Sequence, residues 1–260
     1  MNPLFKWYRK RPYPDKTSSD GLVVKVIHSF YRSSQPSGEN ETVHQQVDLL
    51  ARHGYDVELI YLASDDLERS RLATAATGAG MLVGSPLAEL PHSWCEGADI
   101  VHIHNTFPSM SLRSLANLRV PKVISLHNYR AFCANGLFLR NGQRCMDCTR
   151  HGSWQSVVHG CYRGSRLQTI PVAIQQVGSS SLASFLSKCD AVLVPGEPMR
   201  DILATLGVEK LDVLPNPISS HPPTSAADAT ESAWLFAARL TSEKGLADLL
   251  AIWPQNEPLL

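Results

Sequence analysis

The chain has 260 residues, enough for one large domain or two modest ones. Apolar residues make up 43%, ample for a packed core, and 24 basic residues balance 24 acidic ones, which disfavours nucleic acid as the main partner. No apolar run reaches the roughly 18 residues that span a bilayer, and the N-terminus lacks the apolar segment and small-residue cleavage site of a secretory signal, so the expected compartment is the cytosol.

Residues 1–20 read as a basic and aromatic tail. Lys6, Arg9, Lys10 and Arg11 alternate with Leu4, Phe5, Trp7, Tyr8 and Tyr13. This mixture suits peripheral contact with an anionic membrane surface, or else a frayed polar terminus, because Pro12 and Pro14 forbid a long helix. Then β-branched runs alternate with helical periods. Leu22–His28 is a predicted strand. Thr42–His53 carries Val43, Val47 and Leu50 at helical spacing, and Gly54 follows as a stop. Val57–Tyr61 is the next strand, and Ala73–Leu90, rich in Ala and Gly, is ambiguous. Asp99–His104 and Lys122–His127 read as buried strands, with a short helix over Met110–Leu118 between them.

Residues 128–165 form a long irregular stretch, and loops of that length are usually functional. A long helix is predicted over Arg166–Lys188, burying Leu167, Ile170, Ile174, Val177, Phe185 and Leu186, with Gly178 and the serines after it as a place to kink or split. Ala191–Val194 is a strand. Pro198 suits the first turn of a helix that Gly207 ends, and Leu211–Leu214 is a last short strand. Residues 219–232, rich in Ser, Thr, Ala and Pro, read as a linker. Beyond it, Trp234–Ala237 reads as a buried strand, Arg239–Gly245 as a basic loop and Leu246–Leu250 as the start of a helix. Strands alternating with helices predict an α/β fold with a Rossmann-like parallel sheet covered by helices on both faces.

Ligands of such sheets bind at the carboxyl ends of the strands. Gly38-Glu39-Asn40 opens the first helix after strand one, where the glycine lets a ligand approach and the helix amides face it; simple helix capping is the alternative. Two strands end in His-Asn pairs, His104-Asn105 and His127-Asn128. A histidine at a strand end is commonly structural, but two pairs at equivalent edges suit a hydroxyl-rich ligand, since imidazoles and amides donate and accept without a fixed charge. The prolines of Leu214-Pro215-Asn216-Pro217 would hold Asn216 in a cleft between domains. In Arg239–Gly245, Arg239 and Lys244 beside a helix N-terminus would attract a phosphate; an ordinary exposed loop is the alternative.

In order and spacing, these motifs resemble the family 4 glycosyltransferases, which have the two-domain GT-B fold. The matching runs are Gly38-Glu39-Asn40, Asp99–Asn105, Leu126-His127-Asn128-Tyr129-Arg130, Leu214–Pro217 and Arg239–Gly245, spread from Val23 to Leu250. The resemblance implies an acceptor-side domain over residues 21–218 and the start of a donor-binding domain over 233–260. It implies transfer of a sugar, with retention of configuration, from a UDP- or GDP-sugar to a glycan or lipid-linked acceptor in cell-surface polysaccharide or glycolipid synthesis. His127 would lie beside the transferred sugar. Gly38, Asn216, Arg239 and Lys244 would serve the donor, with cationic side chains in place of a metal, and Glu39, Asn40, His104, Asn105, Asn128 and Arg130 the acceptor.

Cys133, Cys145, Cys148 and Cys161 fall within the irregular stretch, Cys145 and Cys148 as a C-x2-C pair. Four thiolates would suit a structural zinc; free thiols and disulfides are the other readings, with His151 and His159 as alternative ligands. Cys95 and Cys189 read as isolated buried thiols. The Glu-x7-Glu pattern of the family has no counterpart after Gly245. The expectation is therefore a truncated donor domain with weak or absent transfer by this chain alone. The alternatives are a non-catalytic acceptor- or glycan-binding domain and a GT-B nucleotide-sugar epimerase.

Overall fold

The structure is a computed structural model that describes residues 5–11, 21–30, 37–63, 92–107, 110, 112–178, 181–218 and 234–254. The segments 12–20, 64–91 and 219–233, which include the ambiguous Ala73–Leu90 and the linker, lie outside the described residues. The chain divides into two compact units, Met1–Leu137 with Met146–Ile218, and Phe138–Cys145 with Ser219–Leu260.

The first unit is built on a sheet of seven strands: β1 (Phe5–Lys10), β2 (Val23–Phe30), β3 (Asp56–Ala63), β4 (Ile100–Ile103), β5 (Lys122–Ser125), β8 (Ala191–Val194) and β9 (Leu211–Val213), the two intervening numbers being a small hairpin of the second unit. Their spatial order is β1-β3-β2-β4-β5-β8-β9. All neighbours are parallel except β1, which pairs antiparallel with β3. From β2 the chain steps outward to β3 and then returns to the other side for β4. The β2/β4 boundary is therefore the switch point of a doubly wound sheet, where a ligand crevice opens at the carboxyl ends.

Strand alternation sorts the core onto two faces. Val24, Val26, Val57 and Leu59 pack with Val43, Val47 and Ala51 of helix α1 (Gly38–Arg52). Ile27, Ile60, Leu62, Val101, Ile103, Ile124, Val192 and Val194 turn to the other face, with Leu115 of α2 (Leu112–Ala116), Phe185 of α6 (Leu182–Leu186) and Leu203 of α7 (Glu197–Thr205). Helix α1 has Glu39 and Glu41 in its first turn and Arg52 in its last, which suits the helix dipole. It stops where Gly54 turns to φ 92° and donates its N–H to Ala51 O. Between β5 and α6 lie three more helices, α3 (Asp147–His151), α4 (Trp154–Val158) and α5 (Arg166–Gln175).

Three expectations need correction. The residues read as a tail include a strand, β1. Tyr8 packs on the α1-side core, while Arg9 donates from Nε to Asp56 Oδ1 at 2.8 Å and Lys10 pairs with Asp48. The free edge of β3 gives the alternating residues a partner, and the prolines come only after Lys10. The long helix is split, as Gly178 allows, into α5 and α6; Phe185 and Leu186 of α6 are buried as expected, but α5 buries Thr169, Val172 and Ala173, whereas Leu167 is 80% exposed and Val177 57%. The reason is local hydrogen bonding. Thr169 Oγ1 accepts from Tyr162 N–H at 3.0 Å, and Ala173 O accepts from Ser153 Oγ at 2.9 Å, so the helix turns its small and polar residues inward.

The third correction concerns the second unit. Trp234–Ala237 forms no strand beyond a single bridge at Trp234, and Trp234 and Leu235 are exposed. An isolated apolar run without neighbouring strands has nowhere to place its ladder groups. Here the unit holds the hairpin β6 (Leu139–Arg140) with β7 (Gln143–Arg144), a 3-10 turn at Ser242–Lys244 and α8 (Leu246–Ile252). Trp234 meets Trp253 edge-on, with ring centroids 6.0 Å apart.

Candidate functional site at the carboxyl edge of the sheet

At the switch point the α1-side face of the sheet changes from apolar to polar. Ile27 of β2 pairs with Ile103 of β4, and so His28 lies beside His104 on the same face, two residues along from Val26 and His102. On β5 the alternation adds Ser125 and His127 to that face. The result is a buried group of four histidines. His28, His102 and His104 are buried, and His127 is partly so.

Their hydrogen bonds tie three strands and a helix together. Asn105 N–H donates to His28 Nδ1 at 3.3 Å, so that nitrogen is bare and Nε2–H donates to Asn40 Oδ1 at 3.0 Å. Asn40 thereby holds the N-terminus of α1 against the end of β2. His102 Nε2 lies 2.8 Å from Ser125 Oγ, and His104 Nδ1 lies 3.0 Å from His127 Nε2. The two asparagines of the His-Asn pairs act locally. Asn105 Oδ1 accepts from Phe107 N–H at 2.9 Å and Asn128 Oδ1 from Arg130 N–H at 3.0 Å, each closing a turn that aims its histidine into the group.

Burial sets the charge state. Desolvation pulls His28, His102 and His127 down to about 4, and it pushes His104, which also has three histidine neighbours, well below the ordinary imidazole value. The four rings are therefore neutral at physiological pH, an array of donors and acceptors without net charge. In the first turn of α1, burial raises the Glu39 carboxyl to about 7 against the opposing pull of Arg130, and Glu39 Oε1 has no hydrogen-bond partner among the described residues.

Arg130 is fixed on every side. Its guanidinium lies 4.4 Å from the Phe107 ring centroid and 5.8 Å from that of Tyr162, Nη1 donates to Ala134 O at 2.9 Å, and its own carbonyl accepts from Gln176 Nε2 at 2.9 Å. The loop closes over it at Gly136, whose φ is 78° and where a Cβ would come within 3.5 Å of Arg130 Nη2 and Asn128 Oδ1. At Gly38, by contrast, a Cβ would meet nothing within 4 Å among the described residues.

The model of Glycosyltransferase Family 4 matches residues 36–221, a span that holds the whole histidine group except His28. The chain belongs to Glycosyltransferase Family 4. No curated protein matches it. As a family 4 glycosyltransferase it carries the Rossmann-like sheet expected from its strand pattern, in the GT-B domain that the resemblance implied, and glycosyl transfer is the general activity of its family.

Of the residues singled out in the sequence of this glycosyltransferase, His104, Asn105, His127, Asn128, Asn40, Glu39 and Arg130 meet at one edge of the sheet, with Gly38 at the adjoining helix start. Asn216 is exposed on the segment after β9. Arg239 and Lys244 belong to the second unit, where both are exposed and Arg239 pairs with Glu243 at 3.6 Å. None of the six cysteines forms a disulfide, and Cys133 Sγ donates to Asn135 Oδ1. Among the described residues no three His, Cys, Asp or Glu side chains group as metal ligands. Cys95 and Cys189 are buried, which pushes their thiols up to about 11 and about 12. Sequence reasoning passed over His28, His102, Phe107, Tyr162 and Gln176 as site residues. His28 could have been found, since it closes strand one just as His104 and His127 close theirs. The Arg130 contacts could not, because they join residues from four separate segments.

Proposed function

We propose that the chain serves retaining transfer of a sugar from a nucleotide-diphosphate sugar to a glycan or lipid-linked acceptor, in cell-surface polysaccharide or glycolipid assembly in the cytosol. The observation that carries this is the neutral His28–His102–His104–His127 group at the switch point of a family 4 domain. A sugar or phosphate oxygen needs an oriented donor, and the partly exposed His127 supplies one without a fixed charge, backed by three buried neutral rings. His127 faces the transferred sugar. Glu39, Asn40 and Arg130 contact the acceptor, with Asn105 and Asn128 shaping the turns.

In the reaction the bond between the anomeric carbon and the diphosphate oxygen breaks as the acceptor oxygen joins the same face of that carbon, and the acceptor's hydroxyl proton passes to the leaving diphosphate oxygen. Charge gathers on the leaving diphosphate. The N-terminus of α1 at Gly38 and the side chains of Asn216, Arg239 and Lys244 are the groups we assign to it. Catalysis is then positioning plus electrostatic stabilisation. A non-catalytic glycan-binding role is the second reading, favoured by the absence of an ordered strand at Trp234–Ala237. Calorimetric titration with UDP- and GDP-sugars, with Arg239→Ala as control, separates the two. Binding that Arg239→Ala abolishes supports transfer, and no binding of any nucleotide sugar supports the second reading.

A further inference from the structure

His104 and His127 meet through one hydrogen bond, and its direction fixes what His127 can do. Their planes are 6° apart and their centroids 5.3 Å. With Nδ1 of one 3.0 Å from Nε2 of the other, the rings lie edge to edge along an N–H···N bond and not face to face. Two neutral imidazoles share such a bond only if one gives a proton and the other a lone pair. If His127 Nε2–H donates, then His104 carries its proton on Nε2 and His127 Nδ1 is bare. If His104 Nδ1–H donates, then His104 Nε2 is bare and His127 carries its proton on Nδ1.

The environment of His104 Nε2 chooses between these. The residue is 3% exposed, and Nε2 has no hydrogen-bond partner among the described residues. Its neighbouring rings are engaged elsewhere. Both nitrogens of His28 are taken by Asn105 and Asn40, and His102 Nε2 is taken by Ser125. A buried N–H left without an acceptor is the rarer and costlier orphan, whereas a buried lone pair is the better tolerated. The bare nitrogen therefore belongs at Nε2.

We propose that His104 is a positioning residue whose Nδ1–H donates to His127 Nε2, holding His127 as the Nδ1–H tautomer and making it a hydrogen-bond donor, not a base, toward a sugar or phosphate oxygen. The proposal rests on the reading of His127 as the sugar-facing residue. It also gives a role to His104, the buried ring that meets His28, His102 and the partly exposed His127. A fixed N–H is ready for an oxygen that gains charge as the donor bond breaks, whereas a general base would need the lone pair that His104 occupies.

Long-range 1H–15N correlation spectra of the 15N-labelled full chain test this without any sugar nucleotide, with the His127 signals assigned by their loss in His127→Ala. The expected result is a protonated Nδ1 and a bare Nε2 on His127. In His104→Asn the amide N–H replaces the imidazole donor and the tautomer is kept. In His104→Asp, read at alkaline pH where the buried carboxyl is ionised, only an acceptor remains, and His127 switches to Nε2–H. A wild-type His127 protonated on Nε2, or an unchanged tautomer in His104→Asp, overturns the proposal. Failure of the nucleotide-sugar titration with the expected tautomer intact would instead fault the transfer reading alone.

Discussion

Burial leaves His28, His102 and His127 with values near 4 where the unfolded chain has 6.5, and this gives stability a pH dependence of known sign. Between those values the unfolded chain binds more protons than the folded one. The stability these groups contribute is complete above pH 6.5 and is lost as pH falls toward about 4, on the order of a few kcal/mol for each of them. Glu39 acts oppositely. Its carboxyl rises from 4.5 to about 7 in the fold, so the folded chain holds the extra proton and stability falls as pH rises across that window. Urea unfolding of Glu39→Gln against wild type should show a difference that is small at the acidic end and grows to about 1–3 kcal/mol in favour of Gln above pH 7. A difference that stays constant with pH would mean that Glu39 ionises normally. Loss of the N–H donor in His127→Ala should slow transfer by about 10²–10³-fold, as removal of a single oriented donor commonly does, and steady-state kinetics measure it.

At the scale of elements, two substitutions separate fold from site. Gly38 has open space among the described residues where a Cβ would stand and no positive φ, so Gly38→Ala should leave the unfolding midpoint within about 0.5 kcal/mol of wild type while raising the KM for the nucleotide sugar. A large loss of stability would show that the glycine serves packing. Ser181 caps α6, its Oγ accepting from Ser184 N–H at 3.1 Å in a buried position. Ser181→Ala should cost about 1 kcal/mol in urea unfolding, and a neutral result would remove the cap from the account of why α5 and α6 separate. Strands β2 to β5 and β8, and helix α1, were legible because their apolar residues recur with the period of their own geometry. The buried side of α5 was not, because hydrogen bonds donated to it by Ser153 and Tyr162 outweigh the exposure of Leu167 and Val177. Nor was β1, since an edge strand takes its order from the neighbour it pairs with.

For the whole molecule, the doubly wound order of the sheet places the strand ends. His104 and His127 were legible as site candidates because that topology needs only alternating strands and helices to be foreseen. The joining of His28 to Asn40, and of Arg130 to Phe107, Tyr162 and Gln176, depends on how loops return to the edge, which no periodicity encodes. The direct test of the site is calorimetry with UDP and GDP alone and with their sugar conjugates, on wild type and His127→Ala. Because His127 is assigned to the sugar, His127→Ala should weaken binding of the nucleotide sugar by a few-fold to about tenfold and leave the bare nucleotide unchanged. Equal weakening of both ligands, an unaltered affinity for the sugar conjugate, or no binding by the wild-type chain would contradict a sugar-transfer site at the histidine group.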